Sequence, residues 1–450
     1  MNDRGMLTRR RKDGLILVLL GAVVFLVVGV AWRRVSPIEM GDFKVVFYSA
    51  RCLLQHGDPY SEAAVLRVYN AEGRENPSEP VLDRQVKTRF FYPPSAFVVT
   101  LPFALIGFAA GNLLWTMLLA TCLILAAILA WDIGADYAPL VSGALAGLLL
   151  MNSFWLFMIG NSAAIAVSFC VIAVWCFYRE RLVWAGVLCL AISLGLKPND
   201  SGLIWLFLLL IGGRFRRRAL ESLAVLAVIA LPIVFWVTNA SPNWLPELRA
   251  NMASFSGVGG IVDPAATGMA GRSMDSLVGL QSDVSLFYPN PQTYDLVTYA
   301  ISAPLVLVWV LEVLWGKLSA SGWWLAIAAA APLSMLPTYH FQHDAKLLLL
   351  SIPACAMLWV RRSWIGWMSM LITTAAIVIN GDIFSGIRIL LTRNMLVPQP
   401  RLDSEFATAA ITRPAPLILL VTAAFFLWAL TRESRSTRAT HASIRSEREI

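Results

Sequence analysis

Four stretches of this 450-residue chain place ionisable or amide side chains within otherwise apolar surroundings. They are Asp42, the pair Gly160-Asn161, Lys197 with its neighbours up to Asp200, and the run from Tyr339 to Lys346, which contains His340, His343 and Asp344. Ionisable groups within the apolar part of a membrane protein are rare and usually serve a function. One acid, two histidines and two lysines that converge on one membrane face would form a site for a substrate with a phosphate or carboxylate group.

Each of these residues also has a structural interpretation, which the sequence leaves open. Asp42 could cap a helix N-terminus, as aspartate often does. Lys197 could extend from the end of a span to the membrane surface, and His340 and His343 could be hydrated loop histidines. His340, His343 and Asp344 offer metal ligands at positions i, i+3 and i+4, but this spacing is not specific in a loop, so we predict no metal site.

Composition determines the class of protein. The chain is 58% hydrophobic and only 14% charged, which predicts an all-α integral membrane protein. Its net charge of +8 comes in short clusters between apolar runs. Such clusters are typical of cytoplasmic loops, so no nucleic-acid partner is expected.

The basic clusters predict the topology of a bundle of about twelve transmembrane helices. Residues 1–13 and the basic tail 431–450 are expected in the cytoplasm, on either side of a membrane domain at 14–430. External loops are predicted at about 33–92, 239–293, 337–344 and 381–413. Of the four apolar segments between 93 and 178, one is expected to be re-entrant, and 93–107, with an internal proline, is favoured.

The stretch after the first span predicts a helix that lies on the membrane surface. Asp42 opens it, and apolar residues recur at helical spacing from Phe43 to Leu54. Gly57 and Pro59 are expected to end it. The first external loop therefore carries a juxtamembrane helix that holds Asp42 close to the lipid headgroups.

The ordered motifs resemble those of a known family. They are Gly41-Asp42-Phe43 with Pro59-Tyr60, then Phe91-Tyr92-Pro93-Pro94, then Gly160-Asn161, then Lys197-Pro198, then His340 to Leu348. In this order they resemble glycosyltransferase family 87, membrane enzymes of the GT-C superfamily that include polyprenol-phosphate-mannose-dependent mannosyltransferases. The chain departs from the family at Asn161, where members often carry glutamine, so the role of that amide is open.

The resemblance implies an activity and a set of site residues. Asp42 is expected to be the catalytic base, and the other candidates are expected to bind the donor phosphate or the substrate; they are Tyr92, Asn161, Lys197, His340, His343 and Lys346. The expected reaction transfers a mannose-like hexose from a polyprenyl-phosphate sugar to an envelope glycolipid or glycan, with inversion and without a cofactor.

The expected partners are the lipid-linked donor, a lipid or glycan acceptor and membrane lipids. The expected location is a bacterial-type inner membrane, with the site on the external face. Two alternatives stay open at this point, a flippase or transporter for lipid-linked glycans and a protein similar to O-antigen ligases or polymerases. A transporter would favour inverted repeats and charges at mid-span.

Overall fold

The computed structural model describes residues 3–35, 40–72, 89–260, 262–265, 276–316, 318–393 and 405–448. Within these ranges the chain forms helices and turns without a strand, and an isolated antiparallel bridge joins Leu277 to Phe341. The all-α prediction is therefore confirmed for this part of the chain. Parts of the predicted external loops, at 36–39, 73–88, 261, 266–275 and 394–404, lie outside the described residues.

The α-helices are numbered in chain order. They are α1 (Asp3–Val35), α2 (Gly41–Leu54), α3 (Glu62–Ala71), α4 (Phe97–Ala104), α5 (Phe108–Gly134), α6 (Pro139–Met151), α7 (Leu156–Ile159), α8 (Ala163–Arg179), α9 (Val183–Leu196), α10 (Pro198–Ile211), α11 (Gly213–Ala240), α12 (Trp244–Ser256), α13 (Gln281–Phe287), α14 (Pro291–Trp315), α15 (Ala320–Met335), α16 (Ile352–Val360), α17 (Trp364–Ile379), α18 (Asp382–Arg393), α19 (Glu405–Ile411) and α20 (Pro414–Arg448). Two 3-10 helices, Pro94–Ala96 and Asp344–Ser351, precede α4 and α16.

Among the described residues, 6 helices are long and apolar enough to cross a membrane. They are Thr8–Val35, Phe108–Gly134, Pro139–Ile159, Gly213–Ala240, Pro291–Trp315 and Pro414–Ser436. Several shorter apolar helices lie among them and fall below the roughly 20 residues that a membrane span needs. The chain is therefore a multi-pass membrane protein, while the count of about twelve crossings stays a prediction.

The segment 93–107 folds into short pieces. The 8 residues of α4 follow a single 3-10 turn, and Pro102 lies inside α4. At about 1.5 Å per residue, α4 is roughly 12 Å long, much less than the ~30 Å of a bilayer core. This length fits the expectation that the segment enters the membrane without crossing it.

Helix α2 is buried on all sides, so the prediction of an amphipathic helix on the membrane surface is wrong. Every residue from Phe43 to Ala50 is buried, including Lys44. The rings of Phe47 and Tyr48 pack on Phe108 at the start of α5, with centroids 5.2 and 5.7 Å away. Periodicity identifies one apolar face of a helix, but it does not show that other helices cover the opposite face.

Glycines bring α1 against α6. A Cβ atom on Gly21 would lie 2.4 Å from the carbonyl oxygen of Gly147, and one on Gly143 would lie 2.3 Å from that of Gly14. Small residues allow two membrane helices to approach this closely. The contact fixes the position of α6, whose C-terminal end leads into the turn that carries the site.

Ion pairs connect the basic residues at one end of the bundle. Asp136 forms ion pairs with both Arg11 and Arg179. Glu180, which follows Arg179 in the chain, forms an ion pair with Arg214. The basic clusters of α1, α8 and α11 therefore lie together. This arrangement supports the expectation that they share one side of the membrane.

Candidate active site

Asp42 is the second residue of α2, and its carboxylate does not cap the helix. The N-cap residue is Met40, which has a left-handed backbone and no capping side-chain hydrogen bond. Instead, Asn161 Nδ2 donates a hydrogen bond to Asp42 Oδ2 at 2.5 Å. The capping interpretation of Asp42 is therefore wrong, and its partner is a residue 119 positions further along the chain.

The turn at Gly160 is shaped to receive the start of α2. Gly160 has a φ of +69°, and a Cβ atom there would lie 2.6 Å from Met40 Cε and 2.9 Å from Phe43 Cβ. The indole N–H of Trp115 donates to the Gly160 carbonyl at 2.8 Å, and the amide of Met40 donates to the carbonyl of Met158 at 2.7 Å. Glycine alone tolerates both this backbone and this close approach.

Asn161 is held at both ends of its amide. Its Oδ1 accepts a hydrogen bond from the backbone amide of Ala163 at 2.7 Å, which satisfies one of the free N–H groups at the start of α8. The amide nitrogen therefore has to face Asp42. Shorter than glutamine by one methylene, Asn161 acts in this structure as a fixed donor to the Asp42 carboxylate.

Asp42 is partly buried and lines a cavity. Burial raises the pKa of Asp42 from 3.8 to about 6, against the opposing effects of the Asn161 hydrogen bond and the charge of Lys197. An acid with a pKa close to the working pH is well suited to accept a proton in a reaction. Asp42 is therefore chemically suited to general-base catalysis.

Lys197 lies in a buried cluster of charges at the junction between α9 and α10. Its Nζ is 2.6 Å from Asp344 Oδ1 and 3.8 Å from Asp200 Oδ2. His340 Nδ1 is 3.2 Å from a carboxylate oxygen of each of the same two acids. The side chain of Lys197 is only 14% exposed, so the interpretation that it extends to the membrane surface is wrong.

His340 lies behind Lys197 and does not line the cavity. Burial alone would lower its pKa, but the hydrogen bonds to the carboxylates of Asp200 and Asp344 outweigh burial and raise the pKa to about 9. A charged Lys197 and a protonated His340 would together balance the two carboxylates, as a buried set of charges requires.

Asp200, His340 and Asp344 also have the spacing of a metal site, since one ligand atom from each lies within 4.8 Å of the others. Carboxylate and imidazole are suitable ligands for several divalent metals. Lys197, however, already lies against both carboxylates and supplies their counter-charge. That these residues form no metal site stays a prediction, and the sequence leaves the metal requirement of the reaction open.

A cavity of about 190 Å³, here called the Asp42 cavity, brings most of the predicted site residues together. Its wall contains Asp42, Tyr92, Asn161, Lys197, His343 and Lys346, and in addition Phe91, Trp155, Leu156, Ile159, Phe255, Ser276, Tyr339, Phe341, Gln342 and Asp382. Six of the seven predicted residues thus line one cavity. The seventh, His340, lies outside its wall.

The two remaining ionic residues of the wall form a pair that the sequence analysis did not identify. Lys346 Nζ lies 3.6 Å from Asp382 Oδ1 and donates to the carbonyl of Asn152 at 2.6 Å. Asp382 Oδ2 accepts from the backbone amide of Trp155 at 2.7 Å. The pair clamps the turn between α6 and α7. The position of Asp382 directly after an apolar segment is the signal that could have identified it.

A second cavity of about 520 Å³, here called the Tyr299 cavity, adjoins the first. Phe91, Tyr92, Lys197 and Tyr339 line both cavities. Its other walls come from α12, through Leu248 and Met252, and from α14, through Pro291, Tyr294, Asp295 and Tyr299. Lys197 thus lies where a small cavity with Asp42 meets a larger one beside α14.

The sequence pattern of glycosyltransferase family 87 matches residues 90–338, which is more than half of the chain. The chain belongs to glycosyltransferase family 87. The resemblance inferred from the motifs is thereby confirmed, and the protein is a membrane glycosyltransferase. Asp42 and the segment from Tyr339 onward lie outside the matched range. No curated protein and no solved structure matches the chain.

Proposed function

We propose that this glycosyltransferase moves a mannose-like hexose from a polyprenyl-phosphate sugar to a glycolipid or glycan acceptor, with Asp42 as general base. The observation that carries the proposal is that one cavity is lined by both Asp42 and Lys197. A carboxylate with a pKa of about 6 and a lysine held by carboxylates provide the two functions that the reaction needs, proton acceptance and stabilisation of a phosphate leaving group.

The proposed step is a single displacement. The acceptor hydroxyl oxygen attacks the anomeric carbon, and its proton passes to the Asp42 carboxylate. The bond between the anomeric carbon and the phosphate oxygen breaks, and its electron pair remains on the lipid phosphate. Attack opposite the leaving group inverts the anomeric centre. Lys197, which lines both cavities, would offset the charge that develops on the phosphate.

The proposed donor is supported by the two cavities. The Tyr299 cavity is the larger, and hydrophobic or aromatic side chains from α12 and α14 form much of its wall. Helix α14 is largely exposed along its length, so this side of the protein is open to lipid. A polyprenyl chain in the Tyr299 cavity would place its phosphate at Lys197 and its sugar in the Asp42 cavity.

The proposed location is a bacterial-type inner membrane, with the site on the external face. Nucleotide sugars are confined to the cytoplasm, so a sugar used outside has to arrive on a lipid carrier. Membership in a glycosyltransferase family argues against a flippase or transporter. The contacts of the described residues give no specific support to the second alternative, an O-antigen ligase or polymerase.

Donor identity is the first test. The purified protein, in detergent or proteoliposomes with membrane lipid extract as acceptor, is expected to transfer labelled sugar from a polyprenyl monophosphate hexose. No transfer is expected from the corresponding nucleotide sugar. Chromatography of the labelled lipid and glycan products measures both reactions, and transfer from the nucleotide sugar alone would refute the proposed donor.

A further inference from the structure

Part of the wall of the Asp42 cavity carries polar atoms that have no hydrogen-bond partner among the described residues. We infer that this wall is a subsite that recognises the hydroxyl groups of a single sugar ring, the one attached to the donor phosphate. The subsite is formed by Trp155, Gln342, His343, Lys346 and Asp382. The inference rests on the proposed function and extends it, because it assigns the residues that select the transferred sugar.

Two unpaired nitrogen atoms are the main evidence. Trp155 Nε1 and His343 Nε2 are both buried, and neither has a hydrogen-bond partner among the described residues. Both residues line the Asp42 cavity. Buried polar groups are nearly always paired, and an unpaired one calls for an explanation. A ligand with several hydroxyl groups, each able to donate and accept, would satisfy both nitrogens.

One ion pair, Lys346–Asp382, and its hydrogen bonds to the backbone fix the position of this wall. The backbone amide of Trp155 donates to Asp382, and Lys346 donates to the carbonyl of Asn152, so both ends of the turn that carries Trp155 are fixed. Gly381 reinforces the turn, because a Cβ atom there would lie 2.4 Å from Asn152 Oδ1. A binding site that discriminates between similar sugars needs donors and acceptors in fixed positions.

His343 contributes as a neutral hydrogen-bonding group rather than as a counter-charge for phosphate. Burial lowers its pKa to about 3, and the charges of Lys197 and Lys346 act in the same direction against Asp344. A neutral imidazole has one donor and one acceptor nitrogen, which suits a hydroxyl group. The phosphate then belongs at Lys197, and the sugar ring lies in the Asp42 cavity, where it contacts Trp155 and His343.

The Asp42 cavity is the smaller of the two, with a volume of about 190 Å³ against about 520 Å³ for the Tyr299 cavity. A single ring attached to the donor phosphate is the ligand that the inference places in it. The substrate class is a monosaccharide whose hydroxyl groups are free, carried on a phosphate at the mouth of the cavity.

The test combines Trp155→Phe with donors that lack single hydroxyl groups. The substitution removes the unpaired N–H but keeps an aromatic ring and the hydrogen bond from the backbone amide of residue 155 to Asp382. The parent and variant enzymes are compared on the full polyprenyl monophosphate hexose and on its 2-, 3-, 4- and 6-deoxy forms. With the full donor, kcat/KM is expected to fall roughly 3- to 10-fold, as for one lost hydrogen bond.

One deoxy donor should be transferred equally well by parent and variant, because it lacks the hydroxyl group that Trp155 binds. Trp324→Phe is the matched control: its indole N–H is also buried and unpaired among the described residues, but it lines neither cavity. The control should match the parent on every donor. His343→Leu, tested on the same donors, should single out a different hydroxyl group and provides a second variant if Trp155→Phe does not fold.

The inference is overturned if an active parent enzyme and a folded Trp155→Phe variant use the full donor equally well, or if the variant loses the same factor on every deoxy donor. Either result would mean that the indole N–H reads no hydroxyl group. Failure of the proposed function gives a different result, because the parent itself would then transfer no sugar from any lipid monophosphate donor.

Discussion

Replacement of Asp42 by asparagine is expected to leave the protein folded and to reduce turnover by roughly 10²–10⁴-fold, the usual contribution of a general base. The oxygen of the new amide can still accept the hydrogen bond that Asn161 donates to Asp42. An amide cannot, however, take a proton from the acceptor hydroxyl. The measurement is kcat with the polyprenyl monophosphate donor, together with the thermal unfolding temperature of the purified variant.

Asp58→Asn is the control for this result. Asp58 belongs to the same segment between α1 and α4, accepts a hydrogen bond from the amide of Tyr60, and lines neither cavity. It should retain near-parental turnover. A normally folded and fully active Asp42→Asn enzyme would remove Asp42 from the mechanism.

Replacement of Lys197 by methionine is expected to destabilise the protein by about 3–5 kcal/mol, the range observed when one partner of a buried ion pair is removed. Asp200 and Asp344 are 1% and 2% exposed, and without Lys197 a protonated His340 would be the cation within 4 Å of both carboxylates among the described residues. The cluster would then hold one uncompensated negative charge. Loss of activity is expected as well, because the proposed phosphate ligand is gone.

A second substitution should separate the two effects. In Lys197→Met/Asp344→Asn the excess charge is removed, and the new asparagine can still accept from the amide of Phe341, as Asp344 does at 2.9 Å. Most of the lost stability should return, while transfer stays as low as in the single variant. Unfolding of both variants in a mild detergent measures the first effect and kcat/KM the second. Recovery of activity in the double variant would show that Lys197 does not contact the donor.

The all-α, multi-pass architecture could be predicted from the sequence, because continuous apolar segments that cross a lipid bilayer have to be helical. Apolar runs indicate where membrane helices lie, and the motifs around Asp42, Asn161 and Lys197 indicate residues that line the Asp42 cavity. Prolines at the first position of α6, α10, α14 and α20 also mark where helices begin.

The partners of the site residues could not be predicted, because they depend on which helices become neighbours. Asp42 contacts Asn161 across 119 residues, and Lys197 contacts Asp344 across 147. Nothing local in the sequence encodes either distance. For the same reason the burial of α2 and the clamp that Asp382 forms on the Trp155 turn became visible only in the folded chain.

The pH dependence of kcat/KM tests the central claim most directly, because it reports the ionisation of the base itself. The pKa of Asp42 is raised to about 6, and the base works only when ionised, so the rate should fall tenfold for each pH unit below about 6. Asn161→Ala removes a donor that favours the ionised form, so the midpoint should move to higher pH. In Asp42→Asn the fall of kcat/KM at low pH should disappear. If kcat/KM fell with the same midpoint pH in both variants as in the parent, the assignment of Asp42 as the catalytic base would be contradicted.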